Sequence, residues 1–122
     1  MDEKKRKGDR GEAAVAAYLK RNGYTILETQ FRCRRGEIDL IVRSPEGIVC
    51  FVEVKTRKDA EFACAREFVT PAKQRRIRAA AQFYLMKSHD ADVFCRFDVA
   101  EVYLAEGLFQ RPKIGYIAQA FD

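Results

Sequence analysis

Gly36-Glu37-Ile38-Asp39-Leu40-Ile41-Val42 and, a few residues later, Phe51-Val52-Glu53-Val54-Lys55 decide how this chain is read. Each is an apolar run of strand length with charge at alternate positions. Ser44-Pro45-Glu46-Gly47 between them is turn sequence, so Glu37 to Arg43 and Ile48 to Lys55 form a hairpin. Unpaired charge inside a buried strand is costly, so it is seldom placed there without a partner or a metal.

Side chains two apart on a strand share a face. One face of the hairpin holds Ile38, Leu40, Val42, Cys50, Val52 and Val54 and reads as continuous core. The other holds Glu37, Asp39, Ile41, Phe51, Glu53 and Lys55, polar at one end and apolar at the other. A helix over the apolar end and a cleft at the polar end would suit it. The simplest register sets Asp39 opposite Glu53 and Glu37 opposite Lys55. Opposed carboxylates repel unless a cation sits between them. Magnesium, which takes one or two carboxylates and keeps several waters, suits Asp39 and Glu53 as ligands. Such an ion would polarise a phosphodiester and lower the pKa of a bound water, and Lys55 would orient that water or stabilise the charge developing on phosphate.

Working outward, Asp9 reads as the N-cap of a helix from Arg10 to Arg21, with Val15, Tyr18 and Leu19 as its apolar stripe. Glu12 lies on that inner face. It reads equally as half of a capping box and as a further site member. Residues 1–8 read as a disordered basic segment, leaving 9–122 as one domain. Tyr24 to Leu27 reads as a short strand and 56–69 as a mobile loop. Thr70 caps a second helix, with Pro71 at its first position, running to about Lys87. Gln74 faces inward on it and is a candidate for substrate or site contact, or for capping the helix start. Val93 to Leu104 and Ile114 to Ala118 read as the last strands. The order α, β, β, β, α, β, β predicts an α/β fold with a central mixed sheet flanked by helices.

The chain has 122 residues, 48% hydrophobic, with a formal net charge of +5. Its basic residues cluster at 4–7, 32–35, 55–58 and 73–78, the electrostatic footprint of a polyanion binder. Arg32, Arg34, Arg35, Arg57, Lys58, Lys73, Arg75 and Arg76 are the candidates for nucleic-acid contact. No apolar run is long enough for a membrane span, and no signal peptide is recognisable. A cytoplasmic protein with reduced cysteines is expected. Four scattered cysteines and one histidine, His89, argue against zinc and against a Cys-His nucleophile.

Taken in order, Gly8-x-x-Gly11-Glu12, Gly36-Glu37-Ile38-Asp39-Leu40-Ile41, Phe51-Val52-Glu53-Val54-Lys55-Thr56-Arg57, Val69-Thr70-x-x-Lys73-Gln74 and Arg96-Phe97-Asp98-Val99 form a longer pattern. It resembles the small bacterial YraN-type family of predicted endonucleases, within the PD-(D/E)xK or restriction-endonuclease-like superfamily. That family is similar in turn to archaeal Holliday-junction resolvases. The resemblance runs from about Gly8 to Ala118. It implies a restriction-endonuclease-like fold and a Mg2+- or Mn2+-dependent DNA endonuclease, with Glu12, Asp39, Glu53 and Lys55 as the catalytic set and Gln74 as auxiliary. It implies a branched or ended duplex as substrate, and a homodimer would fit. Arg96 and Asp98 belong to the family signature, where an ion pair and a substrate contact are equally open. This chain departs from the family at Gln30, where asparagine is usual, and at Phe62-Ala63-Cys64-Ala65, where a Phe-Gly pair is usual. The alternative is a non-catalytic nucleic-acid-binding module or an accessory protein in DNA repair or uptake, which would need no metal.

Overall fold

The computed structural model describes residues 3–57, 69–88, 93–104 and 111–122, with residues 3–7 described by their backbone alone. Its elements are α1 (Glu3–Arg21), β1 (Thr25–Cys33), β2 (Gly36–Arg43), β3 (Val49–Arg57), α2 (Pro71–Ser88), β4 (Cys95–Tyr103) and β5 (Lys113–Phe121). They form one five-stranded mixed sheet in the order β1-β2-β3-β4-β5. β3 and β4 are parallel, with α2 between them in sequence, and the other neighbours are antiparallel. This α/β architecture is consistent with the restriction-endonuclease-like fold.

A helix packs on each side of the sheet. On one side Val15 and Leu19 of α1 meet Leu40, Val42, Cys50, Val52, Ala100 and Val102. On the other, Ile77, Ala80 and Ala81 of α2 meet Ile41, Phe51 and Val99, with Phe31, Phe51 and Phe97 contributing ring contacts. Apolar strand residues pointing alternately to the two layers give the three central strands their near-continuous hydrophobicity. No helix among the described residues is long and apolar enough to cross a membrane.

The β2–β3 register is the one expected from the hairpin, running from Arg43–Val49 to Leu40–Val52. The ladder stops there, so Asp39 and Glu53 lie one residue past its last rung. The β1–β2 ladder also passes over Asp39, pairing Thr29 with Leu40 and Phe31 with Ile38. Between these pairs, Gln30 adopts a left-handed φ of 49°. One face assignment changes here: Ile38 packs with Phe31 and Ile41 on the α2 side, not with Leu40. Strict alternation fails where the ladders break.

Other boundaries differ for physical reasons. α1 begins at Glu3 rather than near Arg10, so Asp9 lies within the helix and is not its N-cap. The run Glu3-Lys4-Lys5-Arg6-Lys7 is composed of good helix formers, which lets the helix extend backward. β1 is nine residues long, not four, and β5 is also longer than expected. Both are edge strands with a mostly exposed or half-exposed surface, so neither carries the apolar period that reveals a strand. Thr70 caps α2 as expected, its Oγ1 accepting from the Lys73 amide at 3.2 Å. Most of the predicted mobile loop, together with Lys58, Cys64 and His89, lies outside the described residues.

Candidate active site

Two glycines bring the site together. A Cβ at Gly11 would collide with Thr56 Oγ1, so glycine lets α1 lie close over the end of β3. The next residue of that helix is Glu12. A Cβ at Gly36 would meet the Arg76 carbonyl at 2.7 Å, so the start of β2 rests directly on the backbone of α2. Real Cβ atoms do not come that close to backbone.

Glu12, Asp39 and Glu53 then converge from α1, β2 and β3. Asp39 Oδ2 accepts the Val54 amide at 2.7 Å, taking the hydrogen bond that the ended ladder leaves open. Burial raises its pKa, while the Val54 amide and the Lys73 charge pull it down. Glu53 is pushed up to about 7 by burial and by the Asp39 charge, against the opposing pull of Lys73. Lys73 Nζ lies 2.5 Å from Glu53 Oε1. Glu12 is also raised to about 7, chiefly by burial and then by Asp39 and Asp9, while a hydrogen bond from Gln30 works the other way. Asp39 thus disfavours charge on both Glu12 and Glu53 in a half-buried setting, and among the described residues Lys73 pairs with Glu53.

A cleft of about 160 Å³ opens on this cluster, lined by Gly8, Asp9, Glu12, Gln30, Arg32, Glu37, Ile38 and Asp39. Gln30 Nε2 donates to Glu12 Oε2 at 3.0 Å and to Asp9 Oδ1 at 3.1 Å. Among the described residues, no three His, Cys, Asp or Glu side chains form a ready-made metal cage. Hard carboxylate oxygens that raise one another's proton affinity still fit an ion such as magnesium, which needs only one or two of them.

The other candidates fall at varied distances from this centre. Lys55 is exposed on β3, two residues beyond Glu53 and beside Glu101 in the parallel ladder. Glu101 is buried, and neither carboxylate oxygen has a hydrogen-bond partner among the described residues. Burial raises its pKa, opposed by the charge of Arg57. Gln74 turns away from the carboxylates: its amide donates to the Val69 carbonyl at 3.0 Å, at the helix start. Glu37 pairs with Arg32 at 3.3 Å on the exposed surface. Arg34 and Arg35 form the exposed tip of the β1–β2 hairpin, and Arg75 and Arg76 are exposed on α2. The Gly36–Arg76 contact sets these two arginine pairs on neighbouring elements. Arg57 is half-buried at the end of β3.

Arg96 and Asp98 form a separate, self-contained network. Asp98 is fully buried and accepts from Arg96 Nε at 3.0 and 3.1 Å, from the Gln119 amide at 2.9 Å and from the Tyr116 hydroxyl. Arg96 donates onward to the Tyr24 hydroxyl at 2.8 Å. Burial and the Asp98 charge hold the Tyr116 proton in place well above the usual phenol range. Of the two readings open for this pair, the structure supports the ion pair.

Sequence reasoning did not find Asp9, Gln30 or the attachment of Lys73 to Glu53. Lys73 carried a usable signal, because the third residue of a helix that follows β3 starts near the carboxyl end of β3. At Gln30 the sequence shows only the departure from a usual asparagine and not the contact, which depends on an irregular backbone angle.

A mixed-sheet α/β domain with a carboxylate cluster where its ladders end is thus the class of protein defined here. Residues 11–102 match Uncharacterised protein family UPF0102, and the chain belongs to that family. It is 43% identical over 116 residues to a UPF0102 protein of Pelobacter propionicus, covering 94% of this chain and 81% of the relative. It is 51% identical over 102 residues to one of Acetivibrio thermocellus, covering 83% and 78%. A Geobacter sulfurreducens member is 43% identical over 115 residues, covering 94% and 88%.

Proposed function

We propose that this protein is a divalent-metal-dependent DNA endonuclease, selective for the geometry of branched or ended duplexes rather than for base sequence. The observation that carries this reading is the convergence of Glu12, Asp39 and Glu53, where burial first and the Asp39 charge second raise Glu12 and Glu53 to about 7. Asp39 and Glu53 would hold Mg2+ or Mn2+. When bound, such an ion supplies Lewis-acid polarisation of the phosphodiester. Lys73 would move off Glu53 to a substrate phosphate, and Lys55 would face charge developing on the phosphoryl group. Arg34, Arg35, Arg75 and Arg76 would grip flanking phosphates, which position a duplex without reading its sequence. No base-reading helix is recognisable in the sequence, which favours recognition by shape.

A second reading is supported by the 2.5 Å Lys73–Glu53 pair. A built-in cation on one ligand would suit a nucleic-acid-binding module that needs no metal. The two readings separate in one experiment. Labelled single-stranded, duplex, flapped and four-way-junction DNA is incubated with wild type or Glu53→Ala in magnesium or manganese. Cutting by wild type alone establishes the nuclease and ranks its substrates. Binding without cutting by either protein favours the module.

A further inference from the structure

Gln30 donates to two of the acids in the cleft at once. Its amide nitrogen carries two protons, and the structure directs it to two acceptors, Glu12 Oε2 at 3.0 Å and Asp9 Oδ1 at 3.1 Å. Asp9 and Glu12 lie three apart on α1, where like charges on neighbouring turns repel. The glutamine amide sits between them as a neutral donor to both.

The backbone at Gln30 is also unusual. Its φ of 49° lies in the left-handed region that an unbranched polar side chain enters only at some expense. The β1–β2 ladder steps over it, pairing Thr29 with Leu40 and Phe31 with Ile38. The residue passed over on the other strand is Asp39. Strained backbone persists where its surroundings hold it, and such positions cluster at functional sites. Here the irregular angle and the double hydrogen bond occur at one residue, beside the residue most central to the cluster.

We infer that Gln30 is a positioning residue for Glu12: its amide separates Asp9 from Glu12 and fixes the Glu12 carboxylate toward Asp39. The consequence for cleavage rests on the nuclease reading, whereas the coupling of Gln30 to Glu12 does not.

Two measurements keep these apart. The first needs no activity. In nitrogen-labelled full-length protein, the Gln30 side-chain NH2 signals should move in Glu12→Ala and in Asp9→Ala, and stay in place in Glu37→Ala, which changes the same cleft. Signals that ignore Glu12→Ala overturn the inference.

The second is a double-mutant cycle on cleavage of junction DNA. Gln30→Gly keeps a residue that accepts the left-handed φ and removes the exposed side chain, amide included. It should melt no lower than wild type, yet lose about 10- to 100-fold in kcat with KM for DNA unchanged. Glu12→Ala should lose at least as much, and the double variant should be no worse than Glu12→Ala alone. Independent, multiplying losses, or a lowered melting temperature with kcat intact, would make Gln30 a structural strand residue. Wild type that cuts nothing while the NH2 signals respond to Glu12→Ala would sink the nuclease reading and leave the Gln30–Glu12 coupling standing.

Discussion

The same sheet treats the acids Asp98 and Asp39 in opposite ways. Asp98 lies fully buried among donors: Arg96, Tyr116 and the Gln119 amide satisfy both its oxygens. Asp39 has one backbone amide and two other carboxylates for company, and only Glu53 among them has a lysine. The first arrangement is complete by itself. Among the described residues the second is short of positive charge, the property that on the proposed reading would let it receive a cation.

The most severe way to break the contrast is Asp98→Ala. It leaves Arg96 facing Tyr116 and Tyr24 with no counter-charge, and loss of one partner of a buried pair costs about 3–5 kcal/mol. Urea unfolding should show a loss of that size with or without magnesium. The acidic cluster should answer to pH instead. Glu12 and Glu53 rise from 4.5 to about 7 on folding, so both stay protonated in the folded chain while the unfolded chain releases its protons. Stability should then fall as pH rises from 4.5 to about 7 and level off above, by on the order of 2 kcal/mol after allowing for partial exposure. Melts in a chelator from pH 4.5 to 8 check this, and a curve that rises through the window refutes the crowding.

Smaller effects sharpen the comparison. Tyr116→Phe removes one of the three donors from Asp98 and should cost about 1–3 kcal/mol in the same urea assay. Asp39→Asn should do the reverse. It relieves repulsion and raises the metal-free melting temperature by a few degrees, a change of about 1 kcal/mol, while abolishing any gain from magnesium. Retained magnesium stabilisation would remove Asp39 from the ligand set. Arg34→Ala with Arg35→Ala should leave stability within about 0.5 kcal/mol. It should weaken DNA binding across all sequences alike and flatten its salt dependence.

Where burial imposes a period, the sequence could be read. The hairpin register, the α2 cap at Thr70 and the placement of Glu12, Asp39 and Glu53 all follow from apolar spacing or capping chemistry. Edge strands gave no such period, so β1 and β5 were read short. The start of α1 was missed because charged helix formers look like solvent-exposed tail. Gln74 faces inward as its spacing implies, but spacing cannot say that its amide turns to Val69 rather than to the carboxylates. Ile38 changed sides because the ladders break next to it, and no pattern of two anticipates a break. Gln30 entered only through its φ. The irregular parts of this site were therefore the least legible, since they are where local rules give way to the demands of several elements at once.

Gly36 has a consequence for how the molecule would hold a long polyanion. With no side chain at Gly36, the start of β2 rests on the α2 backbone, which brings the arginines at the hairpin tip and those on the helix to neighbouring elements. On the proposed reading this basic surface would act as a ruler rather than a glove, accepting backbones whose phosphates fall at its marks and passing over those whose phosphates do not, with no base read.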